Sequence, residues 1–165
     1  MTRLPPEPGR RHRRALESGS VLLLFPVAVL VVIVLAAITV DSAVVFLGQR
    51  EVANSVAAAA NDAATIGVGN GAFYRAGAVE LDPGTVDRLA TQRVRAALDG
   101  DRFRDLRVDV TVVPAAAPGC PPTVRVHASA SVAYVFARAL PGAPARAQVE
   151  ATSLAAPTQD DSPDC

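Results

Sequence analysis

Residues 21–40 read VLLLFPVAVLVVIVLAAITV, twenty consecutive positions without a charge, fifteen of them Val, Leu, Ile or Phe. As a helix rising about 1.5 Å per residue the run is roughly 30 Å long, which matches the hydrocarbon thickness of a bilayer. Each of the fifteen contributes about −0.3 to −0.6 kcal/mol to insertion near the helix centre. The run is read as a single membrane span. A buried helix of a soluble core and the apolar part of a cleaved signal peptide are the alternatives. A signal peptide's apolar region is about 7–15 residues long and ends at a small-x-small site. This run is longer and continues into ITVDSAVVF without such a site.

The flanks orient the span. Residues 1–20 carry five Arg against Glu7 and Glu17, a net +3, and residues 41–165 carry eleven Arg against fourteen Asp and Glu, a net −3. Positive charge beside a span stays on the cytoplasmic side, so the sequence predicts a single-pass cell-membrane protein, N-terminus cytoplasmic and C-terminal domain extracytoplasmic. The cluster Arg10, Arg11, His12, Arg13, Arg14 is read as the basic flank of a membrane anchor resting on lipid headgroups, not as a nucleic-acid patch. Four regions follow: an Arg-rich tail over 1–20 too polar to fold alone, the span over 21–40, one domain over 41–155, and a disordered acidic tail over 156–165. Pro26 is expected in or near the first turn of the span, where its missing N–H costs little.

Beyond Asp41, Val45, Val52, Val56, Ala59, Ala60 and Ala63 recur at helical spacing, so one helix is expected from about Val21 to Ile66. Its small-residue face suits two arrangements equally: contact with another membrane helix, or folding back on its own domain. Gly67, Gly69 and Gly71 end the helix as cap and hinge, and GVGNG lacks the preceding strand and the spacing of a phosphate-binding loop. A second helix has Asp82 as N-cap and Pro83 at its first position. Val86, Leu89, Ala90, Val94, Ala97 and Leu98 form its apolar stripe, which stops at Asp99 and Gly100.

Three alternating runs then predict strands. Leu106, Val108, Val110 and Val112 share one face of the first. Val124, Val126, Ala128, Ala130, Val132, Tyr134 and Phe136 do so in the second, which is expected to run from Thr123 to Ala137. Ala147, Val149 and Ala151 do so in the third, Ala145 to Leu154. Loops of about nine and seven residues join them most simply as an antiparallel meander. The expected class is α+β: a transmembrane helix extended into a long helix, a second helix, and a three-stranded antiparallel sheet covered by the helices.

No catalytic, cofactor-binding or metal-binding residues are assigned. His12 lies in the tail and His127 on the polar face of a strand. A Ser129, His127, Asp109 grouping on neighbouring strands is of a kind common on solvent-facing sheets. HExxH, CxxC and DxDxDG patterns do not occur. Cys120 and Cys165 are the only cysteines, and both fall on the side expected to be extracytoplasmic. An oxidising compartment allows a disulfide between them that ties the acidic tail to the first interstrand loop; two unpaired thiols, or Cys165 bonding another chain, are the alternatives.

The stretch from Ser18 to Ala64 resembles the N-terminal region of TadE/TadG-like proteins of the Flp (tight-adherence) pilus system, especially their actinobacterial relatives. The matching features are Arg10 to Arg14, Gly19-Ser20, Pro26, Asp41, Gln49-Arg50, Asn54, and Ala57 to Ala60 with Asp62-Ala63-Ala64. The resemblance covers about a quarter to a third of the chain. It implies a pilin-like, non-enzymatic component of Flp-type pilus assembly or the related secretion apparatus. Its implied partners are other pilus-assembly or pilin-like membrane proteins met through helix packing, homo-oligomers included, beside the membrane lipid that the span itself requires and without the nucleic acid that the basic flank could otherwise suggest. Many members carry a glutamate a few residues after Gly-Ser, for processing and subunit alignment. Leu24 stands there in this chain, and Glu17 precedes the pair, which implies a retained anchor rather than a cleaved subunit. A bitopic envelope module for scaffolding or binding, unrelated to pili, is the alternative from another class.

Overall fold

The computed structural model describes residues 13–68, 80–117 and 120–157, with side chains from Leu24 onward. Six elements follow in order: α1 (Arg13–Ile66), α2 (Pro83–Ala97), β1 (Phe103–Val113), β2 (Thr123–Ala133), a single 3-10 turn (Ala137–Ala139) and β3 (Arg146–Ala155). The class is α+β. Two compact units divide between Val40 and Asp41.

The first unit is helical from Arg13. The expected start at Val21 is therefore eight residues late. Nothing in RRALESGS forbids helix, since Gly19 and Ser20 cost only propensity. Pro26 consequently lies inside the helix and not in its first turn, and the Leu22 carbonyl loses its usual N–H donor there. From Leu24 to Val40 the large apolar side chains are exposed, Phe25 and Leu30 among the most so. The helix is long and apolar enough to cross a membrane, which is compatible with single-pass anchoring. A core helix of a soluble domain would instead bury such a surface.

The second unit is the folded domain. Its sheet has the order β1-β2-β3, antiparallel throughout. Val126 stands opposite Val110 on one side and Ser153 on the other, and one face carries the alternating apolar residues of all three strands. The C-terminal part of α1 covers that face with Val52, Val56, Ala59, Ala60, Ala63 and Ala64, all buried. Of the two arrangements open to the small-residue face, the chain therefore adopts folding back on its own domain. α2 lies against β1 and β2, burying Val86, Ala90 and Val94. Leu98 is buried as well, whereas Leu89 is half-buried and Ala97 exposed at the edge of the expected stripe.

Every one of the largest fully buried side chains is a valine: Val52, Val56, Val86, Val94, Val124, Val126, Val132 and Val149. Each contributes about 1.5–3 kcal/mol by leaving water. Between them sit alanines and glycines that let backbones approach closely; a Cβ at Gly48 would lie 2.9 Å from a Val132 methyl. The helix ends at Gly67, whose N–H donates to the Ala63 carbonyl and whose own carbonyl accepts the Asp82 N–H. Gly67 thus joins the end of α1 to the cap of α2. Gly69 and Gly71, expected to share that hinge, lie outside the described residues.

The second strand is shorter than its alternation suggests. It ends at Ala133, not Ala137, so Phe136 does not continue the apolar face. The Tyr134 N–H still reaches the Ala145 carbonyl, but the N–H groups of Val135, Phe136 and Ala137 turn to the carboxylate of Asp41. The connection to β3 accordingly spans residues 134–145 instead of about seven.

Candidate functional site

Asp41, the first charge after the apolar run, holds three backbone N–H groups of the loop that follows β2. Its Oδ1 accepts from the N–H of Val135 at 2.7 Å and of Phe136 at 3.0 Å, and its Oδ2 from the N–H of Ala137 at 2.8 Å. The residue is only 7% exposed. A buried carboxylate is costly unless hydrogen bonds replace its water, and three backbone donors, strengthened by the charge they meet, do so here. The same contacts satisfy the amides that begin the 3-10 turn and fix the path of 134–140.

Eight residues along α1, the side-chain amide of Gln49 is placed against β3. Its Nε2 donates to the Glu150 carbonyl at 2.5 Å and its Oε1 accepts the Glu150 N–H at 3.3 Å. A primary amide offers the donor and acceptor spacing of a peptide group, so Gln49 stands where the next strand of the sheet would pair. Arg102 meets Glu51 and Arg93 meets Asp62, each at 2.9 Å. These solvated pairs are worth at most about 1 kcal/mol apiece.

The polar face of the sheet carries the one histidine of the domain. His127 stands opposite Asp109 on β1 and Thr152 on β3, and its Nδ1 lies 3.0 Å from the Thr152 hydroxyl. Ser129 is two residues further along the same strand, and its hydroxyl makes no hydrogen bond with His127, whose Nδ1 is turned to Thr152 instead. Ser129 stands opposite Arg107 and Glu150. The three residues therefore share a face without forming a linked nucleophile and base. Among the described residues no group of three or more His, Cys, Asp or Glu side chains converges as metal ligands would.

Two further polar details shape the sheet. The register slips between Arg104 and Arg107, with Asp105 at φ 55°, a bulge that aspartate tolerates better than most residues. The Ser131 hydroxyl lies 2.8 Å from Asp105 Oδ2. Cys120 is half-buried before β2 and is disulfide-bonded; the expected partner, Cys165, lies outside the described residues.

At the start of α2, Asp82 accepts the Thr85 N–H at 3.0 Å. The Thr85 side chain and N–H together hold the Asp82 carboxyl below its ordinary range, with slight burial opposing them and the Gly84 N–H and Arg88 assisting. That arrangement is a helix cap. No family model matches the chain, and no curated protein or solved structure matches it either. Fold and geometry define an α+β domain whose first helix carries a segment of membrane-crossing length.

Proposed function

We propose that the chain is a membrane-anchored, non-enzymatic, pilin-like component of Flp-type pilus assembly or of a related secretion apparatus. In this reading Arg10 to Arg14 remain cytoplasmic and the 41–155 domain is extracytoplasmic. The observation that supports it is the single helix α1, which carries the apolar segment and then supplies the small-residue face that covers a three-stranded antiparallel sheet. Motif residues of the resemblance have structural work in that helix: Asp41 binds the 135–137 backbone, Gln49 binds Glu150, and Asp62 pairs with Arg93. Leu24, standing where a processed subunit carries glutamate, favours a retained anchor acting through contacts with other pilus-assembly membrane proteins.

The test is the intact mass of the native protein, recovered separately from washed membranes and from material sheared off cells. Full-length chain confined to membranes, with pilus-assembly proteins captured alongside it after cross-linking, is the expected result. A chain trimmed near Gly19 and present in the sheared fraction would make it a processed subunit. Full-length chain that captures no pilus component would replace the proposal with a general envelope scaffold.

A further inference from the structure

The apolar surface of α1 does not stop at Val40. From Val21 to Gly48 the only ionisable residue is Asp41, and its carboxylate is enclosed by three backbone N–H groups. Phe46 and Leu47, one and a half turns further on, are 66% and 53% exposed. Gln49 is the first polar side chain beyond them and Arg50 the first exposed charge. A helix from 21 to 47 is about 40 Å long. That exceeds the roughly 30 Å hydrocarbon core but matches the roughly 40–45 Å of a bilayer with its interfacial layers.

The loop fastened to Asp41 has the same character. Val135, Phe136 and Leu140 are exposed at 43%, 47% and 62%, and Arg138 among them is exposed too. Within the 41–165 unit, five of the seven exposed large hydrophobic side chains described belong to these two stretches, Ile66 and Leu154 being the others. Isolated exposed hydrophobics are ordinary, whereas a concentration of them beside a buried carboxylate calls for a covering medium.

We infer that residues 41–47 and the loop 135–140 form a foot seated in the interfacial layer of the lipid bilayer, with Phe46, Leu47, Phe136 and Leu140 among the carbonyl-proximal segments of the acyl chains and Arg138 reaching headgroup phosphates. Lipid is the occupant because the foot continues, residue by residue, the apolar run of the span. Apolar groups of a membrane-surface element sink about 5–10 Å below the headgroups, and the seven residues after Val40 supply about that length. A long cationic side chain keeps its charge at the surface while its stem lies in apolar surroundings. Asp41 is a positioning residue: by consuming the amides of 135–137 it allows this loop to enter a medium that offers them no water.

The inference rests on the single-span part of the proposed function and not on its pilus part. The chain contains no tryptophan, so single-Trp variants report position directly. The full chain would be reconstituted in phosphatidylcholine vesicles brominated either near the carbonyls or near the chain ends. Leu30→Trp tests the span, Phe136→Trp and Leu140→Trp test the foot, and Leu154→Trp on the polar sheet face is the aqueous control. Expected are quenching at 30 by deep bromines, blue-shifted emission and quenching at 136 and 140 mainly by shallow bromines, and none at 154. Quenching at 30 without quenching at 136 and 140 overturns the foot and leaves the anchor standing. No quenching at any position overturns both.

Discussion

The side-chain amide of Gln49 takes both backbone groups of Glu150, one as donor and one as acceptor, across a sequence separation of 101 residues. An outer strand left with unpaired N–H and C=O groups is a template for unwanted pairing, and at Glu150 that template is occupied by α1. Gln49→Ala should cost about 0.5–1.5 kcal/mol of stability. Gln49→Glu keeps the acceptor but sets a carboxylate against the Glu150 carbonyl. Its stability should therefore fall below wild type at neutral pH and recover on acidification, as protonation restores a donor. Denaturant unfolding of the full chain in micelles at two pH values checks both; an unchanged midpoint for each would remove this contact from the stability of the fold.

Gly67 cannot accept a side chain. A Cβ there would stand 2.5 Å from the Ala63 carbonyl oxygen and 2.5 Å from a Val86 methyl. The first of these is backbone and has nowhere to retreat. Gly67→Ala should cost more than the about 1–3 kcal/mol usual for overpacking. Gly48→Ala meets only the Val132 methyl and gains up to about 1 kcal/mol of helix propensity, so its thermal midpoint should fall less. A reversed order would show that the α1–α2 junction yields more easily than the α1–β2 contact.

The cap at Asp82 gives stability a pH dependence of known sign. Because hydrogen bonds from Thr85 lower the folded carboxyl's pKa, its contribution is complete above the unfolded value of about 3.9 and disappears as pH falls through the folded value. Asp82→Ala should lower the thermal midpoint at pH 7, Asp82→Asn should lower it less, and the gap between wild type and Asp82→Ala should close at the acid end. A gap that persists there would mean that the ionised carboxylate is not what the cap requires.

Removing the Asp41 carboxylate should release the loop it holds. Amide hydrogen exchange at residues 135–137 is expected to accelerate in Asp41→Ala while β1 to β3 stay protected. In Asp41→Asn one carbonyl oxygen can serve Val135 and Phe136, but the amide NH2 would face the Ala137 N–H. Exchange should then accelerate at Ala137 alone. Equal protection in all three proteins would show that the turn holds without its acceptor.

Much of this fold is written in local periodicity. The alternation through 106–112 and 147–151 and the Asp82-Pro83 signal of α2 are short-range features, and the structure follows them closely. Where reading and structure part, the deciding partner is distant. Tyr134 and Phe136 continue the alternation of β2, yet the strand stops because an acceptor some 94 residues earlier captures the backbone. Gln49 looks like a solvated polar position on the helical wheel, and only the third strand gives it a purpose. The alanine face of α1 is ambiguous for a different reason: small apolar side chains suit a lipid-embedded helix contact and a sheet contact alike, and periodicity describes the face without naming what meets it. The start of α1 at Arg13 is not legible in the sequence, because charged residues mark a tail by composition while leaving helix formation open.

The valine and alanine face of α1 is also synthesised well before the strands that cover it. Val52 to Ala64 wait for β2 and β3, which follow some sixty to a hundred residues later. At about 5–20 residues per second that delay is several seconds or more. A face of small side chains offers little to the chaperones and neighbouring chains that a leucine-rich surface would attract in that interval. The modest side chains that make a thin core in the finished domain thus suit the nascent one, which must keep its future interior exposed without sticking to anything else.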